Sequence, residues 1–183
     1  MNTKTIWNTR YKNGGNSGLG THNDLLHKFK IDYINSLVSK YNIISLYDIG
    51  CGDGHQVNDL NYKVSYIGTD ISNVSIDICK LKYKNQQNRR FIYYDESVDS
   101  TDINISIDVI YHILEEDEYV KYLNKLFTSN YVLIYSSNHD SVKNNHVFHR
   151  KFTNHVPHNY KLIEKIENPY KNLSSADFYL YAK

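Results

Sequence analysis

A doubly wound α/β fold is what this chain predicts: a mostly parallel seven-stranded sheet with an antiparallel C-terminal strand, in a minimal version. Three observations predict it. Short apolar runs rich in Ile, Val and Tyr alternate with segments of helical period. The first such run ends in Asp48-Ile49-Gly50-Cys51-Gly52-Asp53-Gly54, a Gly-X-Gly-X-Gly turn at the carboxyl end of a strand. The second ends in Asp70, twenty residues after Gly50, where a nucleotide-type fold holds ribose hydroxyls.

The elements follow in order. Residues 24–40 form the first helix, with Leu25, Leu26, Phe29, Ile34, Leu37 and Val38 near helical period and Asn23 or Asp24 as cap. Strands are expected at 45–50 and 64–70, and Ser72 caps a helix running to about Tyr83. The third strand is 90–94. The fourth is 102–107, where Ile103, Ile105 and Ile107 alternate. A helix over 115–127 and a strand over 131–136 complete the inner sheet, and 161–166 and 177–182 read as a closing antiparallel pair. Two crossovers are short: 54–63 has room for barely two helical turns, and 96–101 for a loop only. Thinner cover on one sheet face follows. Residues 1–23 read as an N-terminal segment or lid, and 24–183 as one domain.

Composition narrows the function. A chain of 183 residues can bury a core as a single domain. A net charge of +1 gives no field that would gather nucleic acid or an anionic membrane, so neither is an expected partner. The apolar runs are too short to span a bilayer, and the first ten residues lack the core of a signal peptide. Cys51 and Cys79 are too few for a disulfide framework or a zinc site, so a reducing cytoplasm is expected. Cys51, inside the glycine turn, reads as a small packing residue. Alanine occurs only at 176 and 182, while Asn, Ile, Lys, Tyr and Ser abound. That bias fits an AT-rich genome, bacterial or of a giant virus; in the viral case the cytoplasm is the host's.

The glycine spacing separates two ligand classes. A dinucleotide site uses G-x-G-x-x-G, which brings a helix N-terminus to a pyrophosphate. Here the spacing is G-x-G-x-G, and Asp48 and Asp53 would repel a diphosphate. An acidic, glycine-lined turn suits a cationic ligand with an amino group. The stretch resembles motif I of the class I S-adenosylmethionine-dependent methyltransferases, which share a Rossmann-like fold. The resemblance implies S-adenosyl-L-methionine as cofactor and Asp70 on its ribose. It also implies Asp95 on its adenine amine, with Tyr11, Asp48, Gly50, Cys51, Gly52, Asp53, Gly54, Ile71, Tyr94 and Ile107 around it. All eight glycines lie between 14 and 68, and four of them crowd into 14–21. Small methyltransferases often begin with a similar Trp…Arg-Tyr segment, here Trp7, Arg10 and Tyr11. This supports a lid over the cofactor rather than a flexible loop. Aromatic faces there would attract the sulfonium or ammonium by about 0.5–2 kcal/mol.

The second informative stretch, Ile107-Asp108-Val109-Ile110-Tyr111-His112-Ile113-Leu114, resembles motif IV at the end of strand four. Asp108 and His112 are four apart, so on a helical turn they share a face and can pair, giving an oriented general base. The alternative is a capping Asp and a packed His. After strand five come His139, Asp140, His146, His149 and Arg150. They read as a substrate pocket with a histidine base, as a metal site through His139 and Asp140, or as solvated loop. The candidate catalytic residues are therefore His112, His146, His149 and Asp108, with Arg150, Tyr111 and Asn138 for the acceptor and no metal. Together with Tyr135-Ser136-Ser137-Asn138 and the glycine loop, these segments resemble small methyltransferases found among capsule and surface-glycan genes. That likeness implies a small-molecule acceptor, a sugar or sugar nucleotide, methylated on oxygen. An RNA or protein methyltransferase, or a silent cofactor-binding subunit, are the alternatives.

Overall fold

Two helices precede the first one the sequence predicts, at residues 24–40. The computed structural model describes residues 2–61 and 63–183; Met1, the start of the expected N-terminal segment, and Tyr62 lie outside them. Helix α1 (Thr3–Lys12) starts where the Asn2 side chain accepts from the Thr5 amide, and Arg10 and Lys12 meet the negative end of its dipole. It packs against a later helix, α4 (Asn73–Lys82), and its Asn8 Oδ1 accepts from the α4 cap residue Ser72. Helix α2 (Leu19–His22) is a single turn. Helix α3 (Asp24–Lys40) has the expected bounds, with Asn23 capping the Leu26 amide.

The strands are β1 (Ser45–Ile49), β2 (Ser65–Asp70), β3 (Arg89–Tyr93), β4 (Ile103–Ile107), β5 (Tyr131–Ser136), β6 (Lys161–Ile166) and β7 (Asp177–Ala182). Helix α5 (Glu116–Leu126) joins β4 to β5. Short 3-10 turns occupy His55–Asp59, Ile110–His112 and Phe152–His155. The sheet order is β3-β2-β1-β4-β5-β7-β6. The strands β1 to β5 are parallel, and β7 is antiparallel to both β5 and β6. The order reverses at β1, so the loops after β1 and β4 part and leave a crevice at their carboxyl ends.

Each short crossover behaves as its length requires. The 54–63 stretch manages one 3-10 turn, and 96–101 has no helix. Helices α3 and α4 cover one face, through Ile31, Ile34, Leu37, Ile76 and Cys79 against Leu46 and Tyr66. Among the described residues α5 is the one α-helix packed into the other face. There bulky aromatics fill the space: Tyr119, Tyr122, Phe127, Phe152, Tyr160 and Tyr181 are all buried against Tyr47, Ile49 and Ile134. No helix of the described residues is long and apolar enough to cross a membrane.

Candidate active site

The glycine turn is held from both sides. The Gly50 and Cys51 amides both donate to the Thr69 carbonyl, at 2.7 and 2.9 Å, which fixes the turn to β2. Gly50 has φ +97°, and a Cβ there would lie 2.4 Å from Val109 Cγ2. Gly52 has φ +56°, and its Cβ would lie 2.2 Å from Ser17 Oγ. Both positions therefore require glycine. Cys51 is buried, and burial pushes its thiol well above the ordinary range, so it packs rather than reacts.

Two carboxylates lie under this turn. Asp70 accepts from the Gly52 amide at 3.0 Å and the Ser72 amide at 2.8 Å. Burial, only partly offset by those amides, pushes it up to about 6. Asp48 Oδ2 accepts from the Tyr66 hydroxyl at 2.8 Å, while Oδ1 is buried with no partner among the described residues. Burial, with Asp70 adding repulsion, pushes Asp48 up to about 7. Above them opens a cavity of about 490 Å³, whose floor is Asp48, Gly50, Gly52 and Asp70. Ile71 and Tyr94 form one flank, and Ile107, Asp108 and His112 the other. A buried acid short of a donor and a floor without side chains fit a ligand with an ammonium and ribose hydroxyls.

The N-terminal segment roofs the cavity. Trp7, Tyr11 and Ser17 line it, and the Trp7 and Tyr11 rings lie 5.9 Å apart. The Ser17 amide donates to Asp53 Oδ2, and Ser17 Oγ accepts from the Asp53 amide, each at 3.0 Å. His22 Nε2 meets the same Asp53 oxygen at 2.7 Å. Burial alone would raise Asp53, but the Ser17 amide, His22 and the His55 amide outweigh it and hold it below the usual range. Asp53 thus clasps the roof to the turn rather than facing the cavity.

His112 closes the far side. Its Nδ1 lies 2.8 Å from the His146 carbonyl, an acceptor, so Nδ1 carries the proton and Nε2 keeps its lone pair. Trp7 meets the imidazole edge-on at 5.1 Å. Burial, the largest influence, holds His112 below its ordinary value, so it is neutral at pH 7. The expected Asp108–His112 pair does not form. Asp108 precedes the 3-10 turn in the left-handed region, φ +60°. Its carboxylate turns instead to Lys30 at 2.8 Å and the Tyr111 hydroxyl at 2.7 Å.

Several other expected residues lie outside the cavity lining. Arg150 is buried as a brace: it donates to the Ile113 carbonyl and Glu116 Oε2, with its guanidinium 4.0 Å from the Phe148 ring centre. His149 Nδ1 lies 2.6 Å from Ser137 Oγ, and its ring stacks on His139 at 4.7 Å. His146 is exposed; its carbonyl holds His112 Nδ1 and its ring stacks on His112 at 6.2 Å, outside the cavity lining. Asn138 Oδ1 accepts from the Thr153 amide and hydroxyl, and Tyr111 points its hydroxyl to Asp108. Gly54 packs beneath the turn, where Tyr83 donates to its carbonyl. Asp95 is exposed, because Glu96 closes a turn on the Tyr93 amide that carries Asp95 outward. Among the described residues no group of three His, Cys, Asp or Glu side chains could hold a metal; Asp140 instead accepts from the Lys151 amide.

Sequence reasoning missed Thr3, Glu115 and Lys30. Thr3 donates through its amide and hydroxyl to Glu115, at 3.0 and 2.6 Å, across the cavity mouth. Lys30 did carry a signal: it is four residues from both Leu26 and Ile34, at the centre of the buried stripe of α3.

Residues 47–133 match the family described as the methyltransferase domain. No curated protein sequence matches the chain. Among solved structures, the N-methyltransferase NodS of Bradyrhizobium japonicum, bound to S-adenosyl-L-homocysteine, superposes with a TM-score of 0.78. That alignment has 9% identity and covers 100% of this chain and 99% of NodS. Magnesium protoporphyrin IX methyltransferase of Synechocystis gives 0.71 at 13% identity, over 98% of this chain and 97% of its own. The methyltransferase domain of a bacterial Hen1 gives 0.68 at 16%, over 87% and 98%. The matched residues hold the glycine turn, Asp70 and the segment after β4, beneath the acid-floored cavity, and the chain has the Rossmann-like fold of these solved methyltransferases.

Proposed function

We propose that the chain methylates a hydroxyl of a small neutral acceptor, a sugar or the sugar end of a sugar nucleotide, with His112 as the general base. The observation that carries this reading is the His112 imidazole, which lines the cavity and is held through Nδ1 by the His146 carbonyl, so that Nε2 keeps its lone pair. When bound, S-adenosylmethionine supplies a methyl group on a sulfonium. Asp70 would take the ribose hydroxyls, the free Asp48 oxygen the ammonium, and Trp7 and Tyr11 would cover the charge. The chain's main contribution is positioning, which can supply about 7–11 kcal/mol of the barrier. His112 Nε2 would accept the hydroxyl proton as the acceptor oxygen takes the methyl group, the methyl carbon–sulfur bond breaking to leave the neutral thioether. Among the described residues Lys4 is the one lysine or arginine at the cavity, and Arg150 is occupied elsewhere, so a sugar ring is favoured over direct diphosphate recognition.

An amine acceptor is the second reading, favoured by Glu115, Asp117 and Glu118 at the mouth. Offering the protein labelled cofactor with sugars, sugar nucleotides, primary amines, small RNA and a protein mixture separates these readings. Transfer to a sugar hydroxyl, reduced by about 10²- to 10⁴-fold in His112→Ala, is expected. Transfer only to RNA, only to protein, or to nothing would overturn the reading.

A further inference from the structure

We infer that Lys30 is a positioning residue that latches the N-terminal lid to the segment carrying His112. The inference rests on the reading of that lid and of His112 as base. The Lys30 side chain is fully buried in the apolar stripe of α3, where the periodicity asks for Leu or Ile. An ammonium in that place needs acceptors, and it has two. Nζ donates to the Gly20 carbonyl at 2.7 Å and to Asp108 Oδ2 at 2.8 Å, and lies 5.5 Å from the Tyr135 ring centre. Gly20 belongs to α2, the lid turn that His22 clasps to Asp53. Asp108 follows β4 directly and opens the segment that leads to His112.

The contacts run unbroken from lid to base. A Cβ on Gly20 would lie 3.3 Å from Asp108 Oδ2, so the lid backbone sits directly against that carboxylate. The other Asp108 oxygen accepts from Tyr111, whose ring lies 4.6 Å from the His112 ring. Opening the lid withdraws the Gly20 carbonyl and leaves the buried ammonium with Asp108 alone. Lys30 therefore favours the closed lid, and the closed lid in turn fixes Asp108, Tyr111 and the start of the turn bearing His112. A structural ion pair also needs its spare ammonium protons bonded; what makes this one a latch is that the second acceptor belongs to the lid.

The full chain carrying Lys30→Met, Lys30→Arg, Asp108→Asn or Lys30→Met with Asp108→Asn tests this. The primary readout is the rate of protease cleavage within residues 14–22 with saturating S-adenosylhomocysteine, beside the melting temperature of each variant. Lys30→Met is expected to raise cleavage by about tenfold, with Lys30→Arg in between. The double variant removes the ammonium and carboxylate together, so it regains melting temperature but not lid protection. It also keeps the test readable if Lys30→Met alone fails to fold. With an acceptor in hand, kcat should fall more than cofactor affinity. A folded Lys30→Met, or double variant, whose lid is cut no faster than wild type overturns the latch. Cleavage of the wild-type segment at one rate with and without cofactor overturns the lid reading itself. The cleavage assay needs no acceptor, so these two failures are distinct.

Discussion

Asp48 and Asp70 are both buried, and burial raises each, to about 7 and about 6. A carboxylate raised in the folded state binds protons that the unfolded chain has released. The ligand-free protein should therefore lose stability as pH rises from about 4 to 7, where these groups ionise in place. A cationic ligand reverses that penalty by favouring the ionised forms. Cofactor binding should release protons near pH 6 and tighten as pH rises to 7, which calorimetry in buffers of different ionisation enthalpy would detect; proton uptake would contradict it. Arg150 makes the opposite kind of contribution. Arg150→Ala removes the Glu116 and Ile113 bonds and the aromatic stack, and should lower stability by about 2–4 kcal/mol. Cofactor affinity, read by titration, should stay unchanged. The floor acids were legible because a motif fixes their place at strand ends. Arg150, His146 and His149 were not, because the path of the 137–151 loop depends on tertiary contacts that no local pattern encodes.

At the scale of elements, local signals were read well where periodicity and caps agree. Helix α3 and strands β5, β6 and β7 have their expected bounds, and β1 to β4 lie within a residue of theirs. Helix α1 escaped because Thr3–Lys12 has no apolar stripe; of its residues only Thr3 and Tyr11 are buried. It is held by its cap, by α4 and by the cavity mouth. Removing residues 1–15 takes away Trp7, Tyr11 and the Thr3–Glu115 bonds. It should weaken cofactor binding by about tenfold or more while the sheet still unfolds cooperatively. Equal affinity in the truncated protein would separate α1 from the site. The Asp53 clasp carries a pH signature of its own. Because Asp53 is held low in the closed form, the clasp is complete above the ordinary carboxylate range and fails as pH falls through its depressed value. Asp53→Asn should expose residues 14–22 to protease at neutral pH, whereas wild type should require acid.

For the whole molecule, the doubly wound, mostly parallel sheet follows from the alternation of elements, and this is the part a sequence expresses most directly. Less legible was how so thin a domain closes its site. Where the β3–β4 crossover has no helix, aromatics cover the sheet, and the N-terminal segment roofs the crevice, an arrangement set by packing at long range. The central claim is that the cavity between glycine turn and roof holds S-adenosylmethionine through Asp70. Isothermal titration of the intact chain and of Asp70→Ala with S-adenosylhomocysteine and with a nicotinamide dinucleotide tests it most directly. The expected result is binding of the homocysteine derivative alone, weakened about 10- to 100-fold by Asp70→Ala, the loss of one charge-assisted bond of roughly 1.5–3 kcal/mol. Tight dinucleotide binding, or an Asp70→Ala variant that binds as well as wild type, would contradict it.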